Sequence, residues 1–405
     1  MRFAPTLRRF WPCLLLGWLT VANAADSPSK DDELYAEIRR FDETLSARKL
    51  PKPTPEVMTE YDLMEEMSVG ALRVDPAFCE RIGLKALSDR LQPILDAPFP
   101  RMLDKERSRL RESIVVSRIF LLRAQLLCQQ GKVAEGQAWM LKLHRMARRA
   151  DGDQNMLTQM LAFAYEHLGL QAAAYHVETW PEKDRLAYVS SLEQLGPLAR
   201  LDLAIRKDNA SCGPKHSVPA LMEELKPLTP AQRKERLQKI FKTIVGEDDE
   251  QAYLRRLQTM LENLTQESWE TILDSVSAEL QPLTPERLQA FQARNAEALT
   301  QVQADEAKSA GQTFASPARR AEALYRVLLA RHFTLVARKG LDTELTLQLL
   351  KQALRRGADF SEKDLAGLTD ASGNPLHLGK SEDGNHKAIK AGSSVGDFLT
   401  LGPIK

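Results

Sequence analysis

The chain has 405 residues, of which 43% are hydrophobic and 27% charged, and its formal net charge is +1. This apolar content is sufficient for a folded core, and the length corresponds to two or three domains. Binding to phosphates requires a concentrated basic face, so the balanced charge argues against a nucleic acid as the partner.

The N-terminus has the pattern of a secretory signal peptide. Three arginines precede an apolar run over residues 10–21, and residues 22–24 (Ala-Asn-Ala) are small enough for cleavage after Ala24. The run is shorter than the roughly 20 residues that span a bilayer. Cleavage removes three positive charges and no negative one, so the formal charge falls from +1 to −2. We expect a periplasmic or secreted protein without a membrane span after cleavage. Retention of the signal peptide as an anchor is the alternative.

Residues 25–100 are predicted to form an N-terminal helical region that prolines divide into three helices. Three cysteines remain in the mature chain: Cys79, Cys128 and Cys212. An oxidising compartment allows one disulfide, in any of three pairings, together with one free thiol. Cys128 lies in a helical segment and is equally compatible with a buried free thiol.

The central region, residues 101–209, contains four amphipathic segments at nearly constant spacing. The first has a polar stripe that includes Gln125, and it ends at Gly131. The second places Gly136, Met140, Leu143 and Ala147 on one face. A third helix is predicted to end at Gly169, and a fourth to run until Pro181 stops it.

Small residues recur in this region with a period of 38 residues: Ala124, Leu127, Gly131 and Gly136 match Ala162, Tyr165, Gly169 and Ala174. The pattern resembles the tetratricopeptide repeat, which has a small residue, a large apolar one, a turn glycine and an alanine at these offsets. The usual period is about 34 residues, the early tryptophan is missing and only two units are legible. The predicted fold is mainly α, with stacked helical hairpins that are tetratricopeptide-like in the centre. An irregular helical bundle is the alternative.

A linker is predicted at residues 210–218, followed by a second helical region at 219–310 and a C-terminal region at 316–405. The sequence Glu-Leu-Lys-Pro-Leu-Thr-Pro at 224–230 recurs at 279–285 with one substitution, and its threonine suits a helix N-cap. Ser316-Pro317 is predicted to open a long helix, with a separate helix from Thr343 to Arg356.

The last 36 residues change character, and we expect a small antiparallel sheet there. Residues 376–380 and 386–390 are predicted to pair as strands, with a third strand at 397–401. The stretch resembles the C-terminal tail of the major type II secretion pseudopilin, with Asp370, Gly373, Asn374 and Pro375 matching its pattern. It lacks the aromatic residue between the aspartate and the glycine, and the N-terminus has no prepilin leader.

The central segment, the patch at 204–209 and the ending Gly-Asp-Phe-Leu-Thr-Leu-Gly-Pro at 396–403 resemble an uncharacterised family of exported helical proteins from planctomycetes and related bacteria. This resemblance implies helical hairpins followed by a pilin-like β tail. It implies no activity and no substrate.

The residues that resemble phosphate-binding or metal-binding motifs do not have the spacing that those motifs require. Residues 373–381 resemble a phosphate loop but place five residues between the glycines where the motif needs four. His144, His167 and His176 lie near one another along the chain, yet no two are three or four residues apart, so packed histidines are favoured over a metal site. Glu166 beside His167 allows an acid–base interpretation. No catalytic residue, cofactor or metal is assigned.

Four large side chains of the central helices are candidates for a partner surface: Trp139, Met140, Tyr165 and Trp180. Filling of the core is favoured over this interpretation. Two functional hypotheses follow. The first is a non-enzymatic helical interaction or scaffold protein that holds a protein or peptide partner in the cell envelope. The second is an envelope-acting enzyme whose site comes from non-adjacent helices.

Overall fold

The computed structural model describes residues 76–81, 83–96, 109–150, 156–198, 263–307, 316–381, 386–392 and 397–403, with the isolated positions 227, 229 and 232. Helices account for 72% of the described part, and a three-stranded antiparallel sheet lies at its C-terminal end. The expectation of a mainly helical chain with a small C-terminal sheet is confirmed. The predicted signal peptide, the predicted linker at 210–218 and Cys212 lie outside the described residues.

Nine helices and three strands make up the described part of the chain. They are α1 (Pro76–Arg81), α2 (Leu84–Asp96), α3 (Arg109–Gln129), α4 (Val133–Ala150), α5 (Met156–Ala174), α6 (Glu182–Gln194), α7 (Gln266–Glu279), α8 (Pro285–Ala307), α9 (Pro317–Arg356), β1 (Leu376–Lys380), β2 (His386–Ala391) and β3 (Asp397–Pro403). Two 3₁₀ turns, Gly357–Asp359 and Glu362–Leu365, join α9 to the sheet. None of the helices that can be described is both long and apolar enough to cross a membrane.

The α3–α4 hairpin forms as the sequence predicts. Gly131 turns the chain with φ +77°, in the left-handed region that glycine reaches without strain. A side chain at Gly136 would collide with the Cys128 thiol and with the carbonyl of Ala124. The small residue at 136 therefore permits the close packing of the two helices. Cys79 and Cys128 are not joined by a disulfide, so this one of the three pairings is not formed.

The predicted helix end at Gly169 is wrong, because α5 runs without interruption from Met156 to Ala174. Gly169 lies inside this helix, whereas Gly131 lies in a turn, so the two glycines are not structural equivalents. The physical reason is the packing of α5 on α4. A Cβ at Gly169 would lie 2.7 Å from two ring atoms of His144, so the glycine serves the helix contact rather than a reversal.

A second predicted break is also absent. Helix α9 continues for 40 residues through Gly340, where we expected two helices. A Cβ at Gly340 would be 3.1 Å from Cζ of Phe163, so this glycine accommodates the aromatic ring of α5. The hydroxyls of Thr343 and Thr346 donate to the carbonyls one turn earlier, at Lys339 and Asp342. These bonds occupy polar groups that would otherwise favour a helix end.

Helix α3 is buried on more sides than its predicted polar stripe implies. Gln125, placed on that stripe, is fully buried, and the apolar residues around it (Leu121, Leu122, Ala124, Leu126 and Leu127) are buried as well, whereas Arg123 is partly exposed. Helices α2, α4 and α5 all pack against α3. A helix covered on several sides needs no strong amphipathic pattern, and its buried polar residue must find a partner inside.

Two hydrophobic cores share helix α9. The larger core collects side chains from α2 to α6, the C-terminal half of α9 and the sheet. The smaller core joins Phe163 of α5 to α7, α8 and the N-terminal half of α9. Helix α9 thus links the central helices to α7 and α8.

The sheet has the order β1-β2-β3 with both pairs antiparallel, as predicted. Its first strand follows a turn organised by Asp370, whose Oδ1 accepts from the N–H of Ser372 (2.9 Å) and of Asn374 (2.8 Å). Asp342 of α9 accepts from the N–H of Ala371 at 2.9 Å and fixes this turn on the helix. The residues that match the pseudopilin pattern therefore form the entry to the sheet.

The repeated proline motif provides helix caps. The Thr284 hydroxyl accepts from the N–H of Arg287 at 3.2 Å at the start of α8, and the Thr229 hydroxyl accepts from that of Gln232 at 3.4 Å. Ser316 caps α9 in the same way. The predicted N-cap role of these residues is confirmed.

Two alanine substitutions separate the roles of the helical glycines. We expect Gly169→Ala to lower the free energy of unfolding by about 2 kcal/mol, because its Cβ overpacks the buried His144 ring. The matched variant Gly340→Ala should change it by less than about 1 kcal/mol, since the gain in helix propensity offsets a milder contact. Chemical denaturation of both variants measures this. Equal effects of the two substitutions would contradict the assigned α4–α5 contact.

Candidate functional site

A buried carboxylate lies at the centre of the α4–α5 interface. Glu166 of α5 is fully buried, and its Oε2 lies 2.8 Å from Nδ1 of His144 on α4. The same oxygen forms an ion pair with the guanidinium of Arg148, one helical turn further along α4. Residues four apart on a helix share a face, so His144 and Arg148 both reach the carboxylate. Its other oxygen, Oε1, is buried and accepts no hydrogen bond.

A tyrosine from α6 completes a series of three polar groups. The hydroxyl of Tyr188 lies 2.9 Å from Nε2 of His144, on the side of the ring opposite Glu166. The ring of His144 thus faces the carboxylate with one nitrogen and the phenol with the other. We call Tyr188, His144, Glu166 and Arg148 the buried polar network. It connects α4, α5 and α6.

Arg148 connects this network to the outside. It donates to the carbonyl of His144 at 3.1 Å, and its Nε and Nη2 lie 3.4 and 3.3 Å from the carbonyl of Gly196, just after α6. The guanidinium therefore spans α4, α5 and the segment that follows α6. It covers the buried carboxylate while remaining partly exposed itself.

The electrostatics of the network keep Glu166 charged and Tyr188 neutral. Burial opposes ionisation of Glu166, but His144 and Arg148 outweigh this effect and hold the pKa of the carboxyl below its ordinary value. Burial, together with the negative charge of Glu166, raises the pKa of the Tyr188 phenol well above its ordinary value. The phenol therefore stays protonated and remains a hydrogen-bond donor.

A second buried series surrounds His176, in the turn between α5 and α6. Its Nε2 lies 2.7 Å from Oε1 of Gln125 on α3, and its Nδ1 lies 3.1 Å from the hydroxyl of Thr179. The amide nitrogen of Gln125 approaches the carbonyl of Ala172 at 3.5 Å. Both ring nitrogens are thereby engaged. Burial lowers the pKa of His176 to about 4, so the ring is neutral at physiological pH.

Aromatic contacts join the two series. The rings of His176 and Trp180 stack with centroids 5.0 Å apart and an interplanar angle of 5°. Trp180 meets Tyr188 edge-on at 5.4 Å. The two polar series and the aromatic rings between them form one continuous cluster between α3, α4, α5 and α6.

The structure places only some of the histidines and acidic residues considered above in contact with one another. Glu166 pairs with His144 rather than with its neighbour His167. Burial and the nearby Lys339 ammonium lower the pKa of His167 well below its ordinary value. The described residues contain no group of three or more histidines, cysteines or acidic side chains placed to hold a metal ion.

The four candidates for a partner surface are core residues. Met140 and Tyr165 are completely buried, and Trp139 and Trp180 are 8% and 3% exposed. Lys142 lies over the Trp139 ring at 3.4 Å from its centroid. A partner has no access to these side chains in this structure. They fill the core, which was the favoured interpretation.

The sequence pattern does not reveal Tyr188 and Arg148 as members of the network, and it places Gln125 on a solvent-exposed face. The contacts of these residues join positions 44, 18 and 51 residues apart, beyond any helical spacing. One signal was available: His144 lies between Met140 and Ala147, and Glu166 between Ala162 and Gly169, at helical spacing from residues of the predicted core faces. A polar residue on such a face requires a buried partner.

The order Tyr188, His144, Glu166 is that of a nucleophile, a base and an orienting carboxylate. Catalysis by such a series requires that a substrate reach the terminal hydroxyl. All three side chains are at most 1% exposed, and the Tyr188 hydroxyl is already engaged by His144. In this conformation the network can orient helices but cannot contact a substrate. Comparison of the chain with protein-family models, curated proteins and solved structures gives no match.

Neutralising the central carboxylate should weaken the fold. We expect Glu166→Gln to lower the free energy of unfolding by about 3 kcal/mol, because it leaves Arg148 without its anion and presents an amide to His144. The matched control is Glu193→Gln, which removes the exposed ion pair with Arg355 and should cost less than about 1 kcal/mol. Urea denaturation near neutral pH checks both. A loss at Glu166 no larger than at Glu193 would contradict the assigned pairing.

The buried His176 should make stability depend on pH. Its pKa is lower in the folded chain than in the unfolded chain, so the unfolded chain binds more protons between pH 6.5 and 4. The contribution of His176 to the free energy of unfolding is fully present above pH 6.5, and it falls by about 3 kcal/mol as the pH drops to 4. Equilibrium unfolding across this range should show a shallower slope for His176→Gln than for the wild type. Parallel slopes would show that His176 does not titrate as the structure requires.

Proposed function

We propose that this chain is a non-enzymatic helical interaction or scaffold protein of the cell envelope, exported by a signal peptide cleaved after Ala24. The observation that supports this proposal is that Tyr188, His144 and Glu166 of the buried polar network are inaccessible to solvent. The only described groups arranged like a catalytic series are sealed from solvent and connect three helices. Such an arrangement favours a fixed helical framework over a reactive centre.

The proposal includes stacked helical hairpins in the central region, of which the structure describes the one formed by α3 with α4. Packing of α4 on α3 and on α5, and of α6 on α4, supports this arrangement, as does the bond of 3.0 Å from Gln137 of α4 to the carbonyl of Asp184 at the start of α6. A tetratricopeptide-like course of the central region is part of the proposal. It rests on the order of the helices and on the small residue Gly136. Gly131 and Gly169 do not support it, because only Gly131 lies in a turn.

The proposed partner is a protein or peptide that contacts the outer face of the hairpins. This face is polar, with Arg145 of α4 exposed. Leu186 of α6 is 43% exposed and is the one large hydrophobic side chain that the described residues expose. Isolated apolar residues within a polar surface are compatible with a polar interface of modest size.

An envelope-acting enzyme is the second candidate, and the Tyr188–His144–Glu166 order is the observation in its favour. It requires a conformation in which the network opens, for example by movement of Arg148 away from the carbonyl of Gly196. Under this alternative, Tyr188→Phe would abolish turnover of isolated envelope material without changing secondary structure. The scaffold proposal expects no turnover by either protein.

Site-specific photo-crosslinking in intact cells tests the scaffold proposal. A photoreactive amino acid at Arg145 or Leu186 should give a reproducible crosslinked product. The same amino acid at Glu297, an exposed position on α8, should not. Identification of the product by mass spectrometry and location of the chain by cell fractionation complete the measurement. Absence of any crosslink at 145 and 186, or equal labelling at all three positions, would contradict the proposal.

A further inference from the structure

A side chain of α5 binds the outer edge of β3. The Nε2 of Gln171 donates to the carbonyl of Phe398 at 3.2 Å, and its Oε1 accepts from the N–H of Thr400 at 3.3 Å. In a β-strand the carbonyl of one residue and the N–H two residues later point to the same side. The Gln171 amide therefore takes the place that a neighbouring strand would occupy. The Gln171 side chain is buried, so the bond with Thr400 is shielded from water and the bond with Phe398 is partly shielded.

The side chains of β3 add specificity to this backbone contact. Leu399 and Leu401 are buried in the main core, beside residues of α5. Gly402 follows where the strand passes close to the chain after α5, and a Cβ there would lie 2.9 Å from the carbonyl oxygen of Tyr175. The face of α5 thus accepts an extended segment with leucine, threonine, leucine and glycine in succession.

The pairing of β3 with β2 is less regular than that of β2 with β1. Strands β1 and β2 pair in five consecutive positions, from Leu376 with Ala391 to Lys380 with Lys387. Between β2 and β3 the register shifts twice, between His386 and Ala388 and between Ile389 and Lys390. Because this pairing is irregular, the contacts with α5 contribute substantially to the position of β3.

We propose that this face of α5 is a binding site for the segment Asp397–Pro403 of a second copy of the chain, taken in exchange for its own. The segment that fits the site is the one each copy carries, so reciprocal exchange repeats every contact in trans and closes a two-fold dimer. The inference deepens the proposed function, because it names an extended segment of the same chain as one partner of the scaffold.

Complementary variants of the full chain test the exchange. Gly402→Val spoils the segment but leaves the site intact, because its side chain collides with the Tyr175 carbonyl. Gln171→Glu spoils the site but leaves the segment intact, because a carboxylate oxygen then faces the Phe398 carbonyl. When the two purified proteins are mixed, the intact segment of one should occupy the intact site of the other.

Size-exclusion chromatography with light scattering provides the readout. The mixture should show a species of twice the mass of either variant alone. A mixture of Gln171→Glu with the double variant, which offers no intact site, should remain monomeric. Circular dichroism verifies that each variant keeps its helices, and the milder pair Gln171→Ala and Gly402→Ala replaces any variant that loses them. Folded variants that elute separately after mixing would overturn the exchange and leave the scaffold proposal standing, because crosslinking in cells tests that independently.

Discussion

The central helices depend on one buried negative charge. Glu166 lies in an apolar interface, where an ionised carboxylate is strongly unfavourable without partners. His144 and Arg148 supply those partners from one face of α4, and Tyr188 holds the opposite side of the His144 ring. Displacement of any of these helices along its axis would leave a charge or a donor without its partner. The network therefore fixes the relative positions of α4, α5 and α6 more strictly than apolar packing does alone.

Helix α5 serves both halves of the described structure because its faces have separate tasks. Glu166 and Gly169 face α4, where the missing side chain of the glycine makes room for His144. Phe163 and Gln171 contact other elements, Gly340 of α9 and strand β3. Glu166 and Gly169 are three residues apart and share a face, whereas Gln171, five residues after Glu166, lies on another side of the helix. Because α5 is buried against neighbours on several sides, its sequence shows little amphipathicity.

Periodicity and cap chemistry predicted the local structure well. Thr284 and Ser316 began helices where expected, and residues 376–380 formed the strand that their alternation indicates. Glycine was a less reliable guide, because Gly169 and Gly340 fit close helix contacts instead of ending helices. A glycine in a turn and a glycine in a helix contact are indistinguishable in one sequence until the facing residue is known. Tyr188 and Arg148 escaped prediction for the same reason, since their partners are set by tertiary structure.

A double-mutant cycle on the buried network is the most direct test of this account. Free energies of unfolding would be measured for Tyr188→Phe, for Glu166→Gln and for the double variant. Because both residues act through the His144 ring, we predict that the effects deviate from additivity by about 1 kcal/mol or more. Effects that add within about 0.3 kcal/mol would show that Tyr188 and Glu166 are energetically independent, and would contradict the claim that one network fixes these helices.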